Sequence, residues 1–358
     1  AMTGITIPDY AQVTHSLYET AFALPANFLG AARVQSTGGS DIAVVAITHW
    51  GAGSTAFGSF GVNCQSTAAA APVLYAPKVQ RRNFSGNPKG QWTDSTGIVV
   101  VNTEGTDATA RIEFYDRAGN FGGVFTDTIA AYSARGYNTE YGGNANTIPG
   151  AMAVIESLIG SGTTAAPVWQ GSAVVRSVTG QALVGIAKQG AELQQYAAGY
   201  NMLTDNDAAN SWFFPLVYRR GFGGGTNWND YIGIICQNVT SAAVNPIVSF
   251  VDRRATATKC TDATTTCSFT DDVALGQYVS HGYNTRYNAD TPAGGAWYGD
   301  PASGGIGNTL DANFIGAAFI TAGTPIACVQ ETWTVKVQDN DGAWHNGGDS
   351  NLNNVYGK

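Results

Sequence analysis

The hexapeptide Gly-Tyr-Asn-Thr-Glu-Tyr at positions 136–141 returns as Gly-Tyr-Asn-Thr-Arg-Tyr at 282–287. So close a match within one chain marks a duplication, which limits the fold to architectures that can be built twice from one set of elements. The match extends outward. LYAPKVQRR (74–82) aligns with FFPLVYRR (213–220), Pro77 answering Pro215, and WTDSTGIVVVN (92–102) aligns with WNDYIGIICQN (228–238). RIEFYDRAG corresponds to IVSFVDRRA, and TDTIAAYSARGYNTEY (126–141) to TDDVALGQYVSHGYNTRY (270–287). Further on, WQGSAVVRSVTGQALVGIAKQ (169–189) corresponds to FIGAAFITAGTPIACVQET (314–332).

The amino-terminal region holds a third, incomplete copy. ITIPDYAQVTHSLYE (5–19) follows the Tyr-rich segment, and FLGAARVQSTGGSDIAVVAITH (28–49) follows the last one, with Gly30, Gly171 and Gly316 at equal positions. The chain therefore reads as a partial repeat over 1–71, full repeats over 72–210 and 211–335, and a tail over 336–358. A period of about 140 residues is too long for a solenoid and suits a string of domains.

Within each repeat the local signals are β. GIVVVN and ARIEFYD are short Val/Ile/Tyr-rich runs bounded by Gly, Asn and Asp, the pattern of strands between turns. SAVVRSV and ALVGIAK form a second pair, and the TGQ between them predicts a hairpin turn. One helix is expected, over 148–162, kept short by flanking glycines. The predicted fold class is all-β: tandem antiparallel β-sandwiches, Ig-like in general architecture.

Charged residues make up only 12 % of the chain, with a formal net charge of −8. That balance excludes the basic face a nucleic-acid binder needs. No run of residues reaches the length of an apolar membrane span. The five cysteines are Cys64, Cys236, Cys260, Cys267 and Cys328, with no CxxC pair, which argues against structural zinc. Cys260 and Cys267 bracket a short polar loop that a disulfide would close. Cys236, in a central strand, and Cys328, in the final strand pair, form a second candidate bond. Such bonds imply an oxidising, extracellular setting. Cys64 is left over, either buried as a small apolar residue, the simpler expectation, or reaching another chain.

The partial repeat lacks every counterpart of residues 74–116, which leaves sheet edges and an apolar face to be covered. A strand of another copy is one cover, added by β-augmentation; packing within the chain is the other. Candidate donors are the amino-terminal strand carrying Ile5, Ile7 and Tyr10, and the polar tail with Trp344 and Tyr356 as anchors. Donation of either would join copies head to tail, a heterologous contact that need not close.

Catalytic signatures are missing. The histidines His15, His49, His281 and His345 show no metal-ligand spacing, and His281 faces Arg135 at the matching repeat position. The Gly-rich GFGGGTNW (221–228) lacks the Lys-Ser/Thr of a phosphate loop. No catalytic residue or cofactor is expected. Asp116 and Asp252 occupy equal positions suited to strand-end turns. The oxygen-rich stretches 205–207 and 339–342 invite calcium, yet neither completes a known loop. Trp92 and Trp228 recur at equal positions, as core anchors would. Asn83 and Asn238 head Asn-x-Ser/Thr sequons and are glycosylation candidates.

The strings FFPLVYRR, WNDYIGIICQN and IVSFVDRR, with their first-repeat partners, resemble repeats in large surface proteins of filamentous thermophilic bacteria of the green non-sulfur type. The resemblance covers about residues 72–335; Asp230-Tyr231 and Val251 depart from it. It implies a secreted or surface-displayed β-sandwich array and assigns no residue a role. The expectation is a structural extracellular protein, a filament, sheath or surface-layer subunit built from copies of itself by strand complementation. A carbohydrate-binding or adhesive module using Trp297-Tyr298 or Trp344 to hold glycans is the alternative, and a β-sandwich hydrolase is less expected.

Overall fold

The computed structural model describes residues 5–8, 11–16, 22–25, 31–52, 55–82, 94–117, 119–139, 169–191, 196–220, 230–252, 254–258, 260–261, 267–271, 273–285, 310–311, 313–334, 337–338, 344–345, 350–354 and 356–357. Residues 1–35 and 36–358 form separate compact units. All sheet pairing among the described residues lies in the second. Among the described residues there is no α-helix; a 3-10 turn lies at Thr67–Ala69. The helix expected over 148–162 falls outside them.

The second unit opens with a hairpin, β1 (Val45–Ala52) and β2 (Thr55–Asn63). A first module follows, built from β3 (Val73–Arg82), β4 (Asp94–Asn102), β5 (Ala108–Asp116) and β6 (Phe121–Ile129). It is completed by β7 (Ala134–Asn138), β8 (Trp169–Ser177), β9 (Leu183–Ala191) and β10 (Tyr196–Asn201). The order β6-β5-β8-β3 makes one layer and β7-β4-β9-β10 the other. The layers join at one corner, where Arg81 and Arg82 pair with Ser95 and Asp94. Leu74, Ile98, Val100, Ile112 and Phe114 are buried in the core. Alternating apolar positions along each strand supply that face.

The second module repeats the plan with β11 (Ala209–Arg220), β12 (Asp230–Asn238), β13 (Ile247–Asp252), β14 (Ser268–Thr270), β15 (Ser280–Asn284) and β16 (Ile315–Thr334). β16 serves both layers: Gly316–Thr321 lies between β11 and β13, and Ile326–Thr334 pairs β12. A small pair, β17 (Val337–Gln338) with β18 (Trp344–His345), leads to β19 (Ser350–Asn354) and β20 (Tyr356–Gly357). All these ladders are antiparallel, in keeping with a sandwich-like all-β fold.

The hairpin expected around TGQ is not there. β8 and β9 pair with different strands in different layers, so the turn at Gly180 (φ +87) carries the chain across the module. In the second module the equivalent stretch runs without a break as β16. A two-residue deletion relative to the first repeat removes the turn and lets one strand span both layers. Gly39 (φ +76) takes the same left-handed conformation as Gly180 at the matching position of the partial repeat. Only glycine adopts that geometry at no steric cost.

Register shows that the tail belongs to the repeat. Val45 faces Asn63, Ile186 faces Asn201 and Val329 faces Asn354. These are the same rung in three copies, so β19 stands where β10 and β2 stand. Tyr356 then pairs with Phe213, as Leu203 bridges Tyr75. Sequence alignment missed this because a strand of asparagines (Asn351, Asn353, Asn354) has no apolar pattern to match.

Both expected disulfides are present. Cys236–Cys328 joins directly opposed residues of β12 and β16, and Cys260–Cys267 closes the short loop before β14. Cys64 is free and exposed, so the burial expected for it does not hold: it lies just beyond β2, at the end of a two-stranded sheet.

Candidate functional site

The GYNT motif holds the corner of each module. Thr139 and Thr285 lie one residue past β7 and β15 and are almost fully buried. The Thr139 hydroxyl donates to Gln80 O and accepts from Thr96 N, and Thr285 does the same between Tyr218 O and Ile232 N. Tyr137 donates to Asp127 and packs edge-on against Phe125, while Tyr283 donates to Asp271 and packs against Phe269. Burial, then the adjacent carboxylate, pushes both phenols well above their ordinary range.

A buried His281 completes the second cluster, its Nδ1 lying 2.7 Å from Asp271. A histidine held by a carboxylate has the look of a hydrolytic pair. The first module, however, carries the same Asp–Tyr arrangement with Arg135 in place of the histidine. The cluster is thus a repeated fold element with one position exchanged.

The two modules meet at Tyr278. This residue has φ +64, and its ring lies against Tyr75, Tyr115 and the Arg176 guanidinium, the last at 4.8 Å from the ring centroid. Its carbonyl accepts from Ser172 Oγ and from Gln237 Nε2. A residue in the left-handed conformation presents its side chain outward from a tight turn, which makes it a plug for the neighbouring module. Tyr132 is its counterpart in the first module, with φ +53, yet 64 % of it is exposed. The matching socket residue to Tyr75 is Phe213, which is 44 % exposed where Tyr75 is 3 %. Leu216, Ile247 and Ile315 are exposed in the same module. One joint is filled inside the chain, while Tyr132 of the first module and Phe213 of the second, at the matching positions, are exposed.

The β1–β2 hairpin is the other unfinished feature. β2 lies beside β10, where Asn201 Nδ2 donates to Asn63 O and Gly185 N donates to Gln65 Oε1. Among the described residues β1 pairs with β2 alone. In the first module the equivalent strand β9 carries β4 along its other edge, from Ser95 to Asn102. The corresponding edge of β1 includes Val45 and Ile47, the latter 67 % exposed.

The sequence-derived candidates fall as follows. Ile5 and Ile7 are exposed, and Tyr10 lies outside the described residues. Trp344 and Tyr356 sit on β18 and β20, whose backbones pair within the chain. Asn83, Trp92, Trp228, Trp297, Tyr298 and residues 339–342 lie outside the described residues. Asn238 is not available to carry a sugar in the folded chain. It is fully buried, and its Nδ2 donates to Ala242 O and Leu275 O. Asn102 makes the matching bonds to Thr106 O and Ile129 O. Asp116 and Asp252 cap strand-end turns, holding Asn120 and Arg254. Asp205 accepts from Tyr75 and Asp207 from Thr204, so that oxygen-rich turn is tied into the fold. Among the described residues no group of His, Cys, Asp and Glu is arranged to hold a metal. No helix among them is long and apolar enough to cross a membrane.

Comparison with known protein families, with curated proteins and with solved structures returns no match.

Proposed function

We propose that this chain is a structural subunit of an extracellular assembly that grows head to tail. The observation that carries the reading is the repeated joint: Tyr278 fills the socket of Tyr75, Tyr115 and Arg176, while Tyr132 and the Phe213 face are left open. Copying that joint between chains brings the Tyr132 of one copy to the Phe213 face of the next. Such a contact is heterologous, so each subunit added restores both open ends and growth continues.

Strand complementation at β1 strengthens the same contact. The tail strands β19 and β20 are committed to their own module, so the donor is the amino-terminal segment of a neighbouring copy. Ile5 and Ile7, exposed at alternate positions, present one apolar face of an extended strand to Val45 and Ile47. Two disulfides suit a secreted protein, and the small share of charged residues suits one packed against copies of itself.

The test is light scattering coupled to size-exclusion chromatography over a concentration series, with electron microscopy of the same samples. Mass is expected to rise with concentration, and elongated particles to appear. Tyr132→Glu and Phe213→Glu are each expected to stop growth, and mixing the two variants to yield dimers only, because one joint is intact in the mixture. Wild-type protein that stays monomeric at the highest attainable concentration sinks the proposal.

A further inference from the structure

Lys78 is a buried cation in the middle of an apolar strand. β3 bulges between Ala76 and Val79, and the bulge turns Lys78 inward, leaving it 1 % exposed. β11 has its bulge at the same place, but there the residue is an exposed Leu216. Bulges re-aim side chains in this way. The buried Tyr200 fixes the Lys78 backbone from both sides, accepting from its N–H at 3.1 Å and donating to its carbonyl at 2.8 Å.

Three polar side chains converge there, each 0 % exposed. Lys78 Nζ donates to Gln189 Oε1 at 3.0 Å, with Gln189 on β9 in the opposite layer. It also makes an ion pair with Glu331 Oε1, on β16 of the second module. Gln80 Nε2 donates to the same Gln189 oxygen at 3.3 Å. Gln189 Nε2 and Glu331 Oε2 have no hydrogen-bond partner among the described residues. In a buried site such atoms ask for an explanation.

We propose that these residues form an autocatalytic amide-crosslinking site, which joins Lys78 to Gln189 and releases ammonia. Lys78 is the nucleophile, the primary amide of Gln189 the electrophile, Glu331 the proton carrier and Gln80 the donor to the developing oxyanion. Glu331 takes one proton from the Lys78 ammonium, leaving a neutral amine beside a neutral acid. The amine lone pair forms the new bond to the Gln189 Cδ, and the displaced electron pair moves to Oε1. Gln80 steadies that oxygen in a site buried away from bulk solvent, where a fixed donor counts most. Glu331 then protonates Nε2; the oxyanion collapses, the Cδ–Nε2 bond breaks, and ammonia departs. Glu331 regains a proton from the new amide nitrogen and ends neutral.

Atoms and charge balance without an outside reagent. The product holds no ion pair, so the cost of keeping two charges away from water disappears. Direct condensation of Lys78 with Glu331 is the weaker alternative, because it consumes the carboxylate that moves the protons. Because Glu331 comes from the second module, the bond forms only after the modules dock. It then ties the two layers of the first module together across β3 and β9. The second module has Leu216, Tyr218 and Thr332 at the equivalent positions, so the site exists once.

Intact-mass measurement on the denatured, full-length chain decides the matter without any variant. The expected mass is that of the sequence, corrected for its disulfides, less one ammonia. Peptide mapping is expected to find the Lys78 and Gln189 peptides joined, with Lys78 resistant to trypsin. Glu331→Gln is expected to return the mass to the unlinked value. An unshifted wild-type mass overturns the proposal. So does the loss of one water with a Lys78–Glu331 link, or an ammonia loss that maps to any other residue. A folded Glu331→Gln chain that still carries the link removes Glu331 from the mechanism.

Discussion

The Thr139 hydroxyl donates to the carbonyl of Gln80 at 2.8 Å, and through that bond the end of β7 holds the corner where β3 meets β4. Thr285 repeats the bond to Tyr218 O at 2.8 Å in the second module. Each hydroxyl also accepts a backbone N–H at 3.0 Å. Removing it leaves one buried donor and one buried acceptor unpaired. Thr139→Val and Thr285→Val are therefore expected to cost about 1–3 kcal/mol each. Because the sites lie in different modules, the double variant should show the sum. Chemical denaturation checks this, and a change within error for both singles would contradict it.

Gly171 and Gly316 sit where two backbones press together. A Cβ on Gly171 would lie 1.9 Å from Tyr115 O, and one on Gly316 would lie 1.9 Å from Val251 O. The obstacle in each case is backbone, which cannot step aside as a side chain can. Gly171→Ala and Gly316→Ala should each lose at least about 1–3 kcal/mol. Gly38→Ala meets nothing within 4 Å and serves as the neutral control. Thermal melts of the three variants compare them directly.

Buried tyrosines set the alkaline limit. Burial, aided at Tyr137 by Asp127 and at Tyr283 by Asp271, holds these phenols protonated well above their ordinary value of 10.0, and burial does the same at Tyr200. A folded-state pKa above the unfolded one gives stability that is complete below the unfolded value. Above pH 10 the unfolded chain releases protons that the folded chain keeps, so stability falls with rising pH. Denaturant midpoints should decline from about pH 10 upward, and phenolate absorbance from the buried set should appear only with unfolding. Complete phenolate formation ahead of the loss of circular dichroism would refute this.

Cys64 is expected to be the single thiol that reacts in the native state. It is exposed as a residue, while partial burial of its sulfur raises the thiol above its ordinary 9.0. Maleimide labelling near neutral pH should therefore go to one label per chain, more slowly than for free cysteine, since the thiolate is the reactive form. Mass spectrometry counts the labels. A second label without reductant would mean that Cys236–Cys328 or Cys260–Cys267 is open.

Much of the architecture was legible before any coordinates. The paired hexapeptides announced the duplication, Val/Ile/Tyr runs announced strands, and the short spacing of Cys260 and Cys267 announced their disulfide, because these signals depend on local chain chemistry; Cys236–Cys328 followed from the strands on which the two residues lie. The place of the tail within the repeat was not legible, because Ser350–Asn354 pairs through its backbone while its side chains are mostly asparagines that repeat no apolar pattern. The TGQ turn misled because a hairpin and a crossover between layers use the same left-handed glycine.

Sequence by itself determined that like β segments recur along one chain, since repetition and strand patterning are properties of residue order. Only the tertiary structure decided which repeated positions are filled and which are left open. Tyr278 and Tyr132 occupy the same place in their repeats, yet one is a plug in a socket and the other faces solvent. It also decided that Lys78, Gln189 and Glu331, far apart along the chain, share one buried site. Folding sets that proximity by packing separate sheets together, and no spacing in the sequence encodes it.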